Sequence, residues 1–182
     1  MIDEISEIDK TNYALIRKNV SEFIFNCAKR FDNKDVKVLD IAPQVHLGAK
    51  EYFKLADVKT LDIDSISNAD YIADICNCND RLIPNKSFDI IICTEVLEHT
   101  ANPFSAIKEL ARILKNGGYI CASTPFNFRI HGPLPDCWRF TEHGLRELIK
   151  SASLKLIEVN ALDTPERFLM PIHYTFIGKK ID

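Results

Sequence analysis

From Tyr13 to Phe31 apolar side chains recur at Tyr13, Ile16, Val20, Phe23, Ile24, Cys27, Ala28 and Phe31. That three-and-four spacing predicts an amphipathic helix with one face for burial. The period then shortens. Val36 to Ala42 reads as a buried strand halted by Pro43, and a short helix is expected from Gly48 to Leu55. Further strands are expected at Val58 to Ile63 and Tyr71 to Ile75. The stretch from Phe88 to Cys93 is the most continuously apolar in the chain, the pattern of a central parallel strand covered on both faces.

The next helix carries its own boundary signals: Asn102 as cap, Pro103 at the first helical position, and Gly117-Gly118 to close it after Leu114. A fifth strand follows from Tyr119 to Thr124. Thr141 caps a helix through Leu145, Leu148, Ile149 and Ala152, and two strands near Leu154 to Val159 and His173 to Ile177 are close enough in sequence to pair antiparallel. Strands alternating with helices imply crossover units and a parallel sheet, hence a doubly wound α/β fold.

At 182 residues with 46% hydrophobic content, the chain fits one domain. Residues 1–33 would form a helical cover and 34–182 the core. Twenty-three basic against 26 acidic residues give a net charge of −3, which argues against a duplex nucleic-acid partner. The six cysteines form no C-x-x-C pair, and several sit in apolar runs, so reduced structural thiols are expected and no metal site. The first residues are acidic where a signal peptide would be basic, and no apolar run reaches the length of a membrane span. A cytoplasmic protein without a membrane partner is expected. A homodimer is compatible with the sequence but not specified by it.

In a doubly wound sheet, ligands collect at the carboxyl ends of the strands. Those positions are Asp40 to Pro43, Asp62 to Asp64, Asp74-Ile75, Thr94-Glu95 and Pro125 to His131. An acid ending the second strand suits a nucleoside ribose, because one carboxylate can accept from two neighbouring hydroxyls. Asp62 and Asp64 share a strand face, so spacing does not choose between them. The first strand lacks a glycine-rich turn: Ala42, Pro43 and Gln44 follow Asp40-Ile41, and Gly48 arrives late.

The segments Phe88-Asp89-Ile90-Ile91-Ile92-Cys93-Thr94-Glu95-Val96-Leu97-Glu98-His99 and Glu109 to Gly118 resemble the fourth-strand, helix and fifth-strand block of class I S-adenosylmethionine-dependent methyltransferases. His131 to Thr141, with Asp136, Trp138, Arg139 and Phe140 in sequence, is similar to a subgroup with Asp-x-Trp-Arg-Phe-Thr after the fifth strand. The resemblance implies a three-layer, Rossmann-like α/β/α fold whose seven-stranded sheet is mostly parallel, with one antiparallel strand near the edge. It implies S-adenosylmethionine as cofactor. Asp40, Ala42 and Gln44 would then lie by its methionine part, Asp62 (with Asp64 as the alternative) by the ribose, Asp74 and Ile75 by the adenine, and Thr94 and Glu95 in the methyl-transfer cavity. The sequence departs from the family at the glycine loop.

Transfer from a sulfonium chiefly needs in-line placement of the acceptor. A base is needed only where the acceptor loses a proton, and the candidates are His131, His99 and Glu95. Arg129, Asp136, Trp138 and Arg139 are the candidate acceptor contacts, within a local basic cluster that suits an anionic or glycan-related small molecule at oxygen or nitrogen. The alternative reading is an inactive descendant that keeps the fold as a protein-interaction or ligand-binding module.

Overall fold

The computed structural model describes residues 5–44, 46–164 and 168–181. Its strands are β1 (Lys37–Ile41), β2 (Asp57–Asp62), β3 (Tyr71–Ile72), β4 (Phe88–Thr94), β5 (Leu114–Pro125), β6 (Leu154–Leu162) and β7 (His173–Lys180). They form one sheet in the order β3-β2-β1-β4-β5-β7-β6. The strands from β3 to β5 run parallel, and β7 is antiparallel to both β5 and β6. The expected Rossmann-like sheet is therefore present, with its reversed strand second from the edge.

Three α-helices cover the sheet: α1 (Glu7–Phe31), α2 (Pro103–Ile113) and α3 (Glu142–Ser151). The alternation of strand side chains decides which face each helix covers. Val38, Ile90, Ile92, Cys121 and Ile177 pack with Ile16, Val20, Phe23 and Ile24 of α1. Leu39, Ile41, Ile91, Cys93 and Ile120 point the other way, onto Ile107 and Leu110 of α2 and Leu145 and Leu148 of α3. Truncating any of these fully buried leucines or isoleucines to alanine costs about 2–5 kcal/mol.

Helix α1 begins earlier than its apolar period suggests, because Ser6 accepts from Asp9 N and Glu7 and Asp9 complement the positive end of the helix. Asn102 and Thr141 cap α2 and α3 as their positions predict, accepting from Ser105 N and Gly144 N. The helix expected from Gly48 to Leu55 is only a one-turn 3-10 helix, Gly48–Glu51. The Asp32 carboxylate ends it by accepting from the backbone N–H groups of Lys54, Leu55 and Ala56. The third strand stops at Ile72, since Asp74 Oδ1 accepts from Cys76 N and turns the chain.

The Gly117-Gly118 pair does not close α2, which has already ended at Ile113. It lies in β5, where the register steps from Phe88↔Leu114 to Ile90↔Tyr119 and the strand bulges. A side chain at 118 would meet Asp89 O at 2.6 Å, so this close approach requires glycine.

Candidate active site

Strand β1 delivers Asp40 to the carboxyl edge of the sheet, buried and with its Oδ2 accepting from Ala49 N at 2.7 Å. Burial pushes this carboxyl up to about 7, against the lowering effects of the Ala49 N–H and Lys50. The turn that follows has no glycine, yet it takes the backbone shape that glycine favours: φ is +50° at Ala42 and +55° at Gln44. The hydrogen bond from Ala42 N to Leu61 O, at 2.7 Å, helps to hold it. Gly48, also at +55°, is the residue whose missing side chain makes room for Asp40.

Across the sheet switch between β1 and β4 lies a cavity of about 160 Å³. Asp40, Ala42 and Gln44 line one wall, Thr94 and Glu95 another, and Ile16 and Val20 of α1 form the roof. His99 and His131 close the remaining side. The cavity is too small to enclose a whole nucleoside cofactor, since drug-sized ligands occupy about 300–1,000 Å³.

Glu95 follows directly on β4 with φ at +57°, a backbone strain that aims its carboxylate inward. Its Oε1 accepts from Ser123 Oγ at 2.8 Å and from His173 Nε2 at 2.7 Å. On the far side of that fully buried ring, Asn19 Nδ2 donates to His173 Nδ1 at 2.8 Å. The amide donor leaves the histidine proton on Nε2, directed at Glu95. Burial alone would raise the Glu95 carboxyl, but His173, Ser123 and His131 hold it below its ordinary value.

Beside it, Glu98 is fully buried and neither of its carboxylate oxygens has a hydrogen-bond partner. Burial, reinforced by the charge of Glu95, pushes its carboxyl well above the usual range. His99 and His131 stand edge to face with ring centroids 4.9 Å apart. His99 Nδ1 meets the carbonyl of Pro135 at 2.9 Å, which requires a proton there and leaves Nε2 as the basic nitrogen. Burial and His99 lower the His131 pKa against the opposing pull of Asp136, favouring neutral imidazole.

The proposed acceptor contacts fall elsewhere. Asp136 and Arg139 pair through both carboxylate oxygens, and Arg139 also donates to the carbonyls of Arg129 and Trp138. Arg139 above all holds the Asp136 carboxyl down to about 2. Trp138 Nε1 donates to Thr100 O at 2.8 Å, and its ring stacks on Phe140. None of Arg129, Asp136, Trp138 and Arg139 lines the cavity: together they brace the loop that presents His131. Asp62, Asp64, Asp74 and Ile75 also lie outside it, at the ends of β2 and β3. Asp62 is buried and takes Asp64 N with one oxygen, whereas Asp64 folds back onto Ile66 N in a local turn. Asp74 is likewise engaged with its own turn, and Ile75 is core.

The family model described as a methyltransferase domain matches residues 20–122, from mid-α1 into β5. The chain belongs to the S-adenosylmethionine-dependent methyltransferases. The chain is similar to a ubiquinone biosynthesis O-methyltransferase of Aliivibrio fischeri, 29% identical over 118 residues that cover 53% of this chain and 47% of the relative. It is also 32% identical over 92 residues to an uncharacterised methyltransferase of Schizosaccharomyces pombe, covering 47% of this chain and 30% of that one. The match thus spans half or less of the length of these curated relatives. Among solved structures, a SAM-dependent methyltransferase from Methanosarcina mazei aligns with a TM-score of 0.64 at 18% identity, over 82% of this chain and 95% of that one. Another from Mesorhizobium loti aligns at 0.66 and 10% identity, over 87% and 98%. Both share the fold.

Three residues of the candidate site escaped the sequence reading: His173 on β7, Asn19 on α1 and Ser123 on β5. They reach Glu95 from three separate elements, so no local spacing announces them. A histidine at the head of the Tyr174-Thr175-Phe176-Ile177 run was the available signal.

Proposed function

We propose that the protein transfers a methyl group from S-adenosylmethionine to an oxygen or nitrogen of a small-molecule acceptor. The supporting observation is the convergence on one cavity of the β1 turn, the β4 end at Thr94 and Glu95, and two histidines with basic nitrogens. When bound, the cofactor supplies an electrophilic methyl on a sulfonium.

The residues present are compatible with that cofactor. Asp62 is a buried strand-end acid with Oδ2 free of protein donors among the described residues, which suits ribose hydroxyls better than Asp64 does. The β1 turn keeps its left-handed backbone at Ala42 and Gln44 where glycines are absent, so the missing glycines do not block the loop shape. Glu95, held as a carboxylate by His173 and Ser123, places negative charge in the cavity that receives the cationic reacting end. His99 Nε2 or His131 accepts the proton of a hydroxyl or amine acceptor. The ubiquinone-pathway relatives are O-methyltransferases by name, which favours oxygen as the acceptor atom.

The open cavity supports transfer over a purely structural role, which expects this space to be filled. No helix among the described residues is long and apolar enough to cross a membrane. The six cysteines are free thiols, in keeping with a reducing compartment such as the cytoplasm. Titration calorimetry with S-adenosylmethionine and its demethylated product tests the proposal. Binding of both is expected, and the absence of heat and of thermal shift at millimolar ligand overturns it.

A further inference from the structure

Glu98 is unexplained by methyl transfer. A carboxyl buried without one hydrogen-bond partner carries an uncompensated desolvation cost. Two imidazoles stand next to it: Nε2 of His99 lies 3.8 Å and Nε2 of His131 3.9 Å from Glu98 Oε1. One donor atom from each of the three side chains falls within 4.8 Å of the others. Outer contacts orient both rings. His99 Nδ1 is fixed on Pro135 O, and His131 Nδ1 lies 3.1 Å from Asp136 Oδ2, close but not aligned for a hydrogen bond. A carbonyl or carboxylate behind each ligating ring is the usual support of a metal-bound histidine.

We propose that Glu98, His99 and His131 form a binding site for one divalent transition-metal ion of the zinc, cobalt, iron or manganese type. Two imidazoles and a carboxylate favour these ions over magnesium or calcium, which take oxygen ligands. With metal–ligand bonds of about 2.1 Å, ligand atoms sit roughly 3.0–3.4 Å apart, so side-chain shifts of about 1 Å or less close the set. Positive charge at this point also answers the carboxylates of Glu95 and Asp136, which face Glu98 and are opposed by its backbone N–H and by Arg139. The two histidines line the cavity while Glu98 lies behind them, so the unfilled coordination positions open toward the reacting end.

The ion's role, unlike its binding, rests on the methyltransferase reading. With both Nε2 atoms on the ion neither histidine is free to act as the base, and an acceptor hydroxyl held on an open position instead becomes more acidic and yields its proton to solvent. The oxygen lone pair then forms the new bond to the methyl carbon as the carbon–sulfur bond breaks, and its electron pair stays on sulfur as a neutral thioether.

Cobalt(II) titrated into chelator-stripped protein tests the site by a readout independent of activity. One equivalent is expected to bind with visible d–d absorption and without a sulfur-to-cobalt charge-transfer band. Glu98→Gln keeps the side chain's shape and His131→Ala removes the second ring. Each is expected to lower cobalt affinity by more than the 10–100-fold that loss of a merely supporting group costs, with the far-ultraviolet circular dichroism unchanged in at least the glutamine variant. No d–d band in the unmodified protein overturns the proposal. So does a thiolate band, which would place the ion on exposed cysteines such as Cys78 or Cys137, or undiminished affinity in a folded variant. S-adenosylmethionine calorimetry on the same metal-free samples keeps the two ideas apart: failed cofactor binding removes the transferase reading, failed cobalt binding only the metal.

Discussion

Gly48 and Asp40 occupy each other's space: a β-carbon on Gly48 would lie 2.2 Å from Asp40 Oδ2 and 2.8 Å from Pro43 Cβ. The late glycine therefore serves the β1 turn after all, by admitting the strand-end acid. Gly48→Ala is expected to destabilise the fold by roughly 2–4 kcal/mol, combining a left-handed backbone with a clash against a buried group. It should also weaken S-adenosylmethionine binding. Urea denaturation and calorimetry check the two effects, and a variant as stable as the parent would contradict the geometry.

Ala42 carries the opposite expectation. At φ +50° an alanine is strained by about 1–2 kcal/mol, which glycine avoids while losing somewhat more chain entropy on folding. Ala42→Gly should be neutral or stabilising by up to about 1 kcal/mol, and Ala42→Val, with its branched carbon, destabilising by more than about 1 kcal/mol. Denaturation midpoints of the pair give the sign directly.

The buried Asp40 predicts a pH dependence. Its folded pKa of about 7 lies above the ordinary value of 3.8, so between these the native state holds a proton that the unfolded chain releases. Stability from this group is greatest in acid and falls as pH rises from about 4 to 7, then levels off. Lys50 is the nearby cation that limits the shift. Asp40→Asn retains an oxygen for Ala49 N and should flatten that slope. Denaturation free energies at pH 5, 6, 7 and 8, compared between parent and variant, measure the difference.

Arg139 should behave as a brace and not as an acceptor contact. Removing it leaves the sheltered Asp136 carboxylate without its main partner and frees the Arg129 and Trp138 carbonyls. Arg139→Ala is expected to cost roughly 3 kcal/mol and to expose the loop between Phe128 and Phe140 to proteolysis. Limited digestion and thermal denaturation check this. An unchanged melting temperature with a selective rise in acceptor KM would instead place Arg139 on the acceptor.

The fold was legible where patterns are local. The apolar period of α1, the caps at Asn102 and Thr141 and the unbroken run from Phe88 each specify an element through short-range physics. The β4 motif likewise led to Thr94, Glu95 and His99, which reach the cavity with His131. What stayed hidden depends on distant pairs. Asp32 ends the one-turn helix from more than twenty residues away, Asn19 and His173 meet across 154 positions, and His131 joins Glu98 only because the loop after β5 folds back over the strand ends. The basic residues near 129–146 look like an anion site in sequence, and two of them have local acidic partners: Arg139 pairs with Asp136 three residues before it and Arg146 with Glu142 four residues before it.

Helix α1 lends Ile16 and Val20 both to the core and to the roof of the cavity, and Tyr13 and Arg17 to its rim. The family model begins at residue 20. The segment that the family model recognises and the turns of α1 that overhang the cavity are thus largely different stretches, so a change confined to two turns of one helix would reshape the roof while leaving nearly all of the recognised segment untouched.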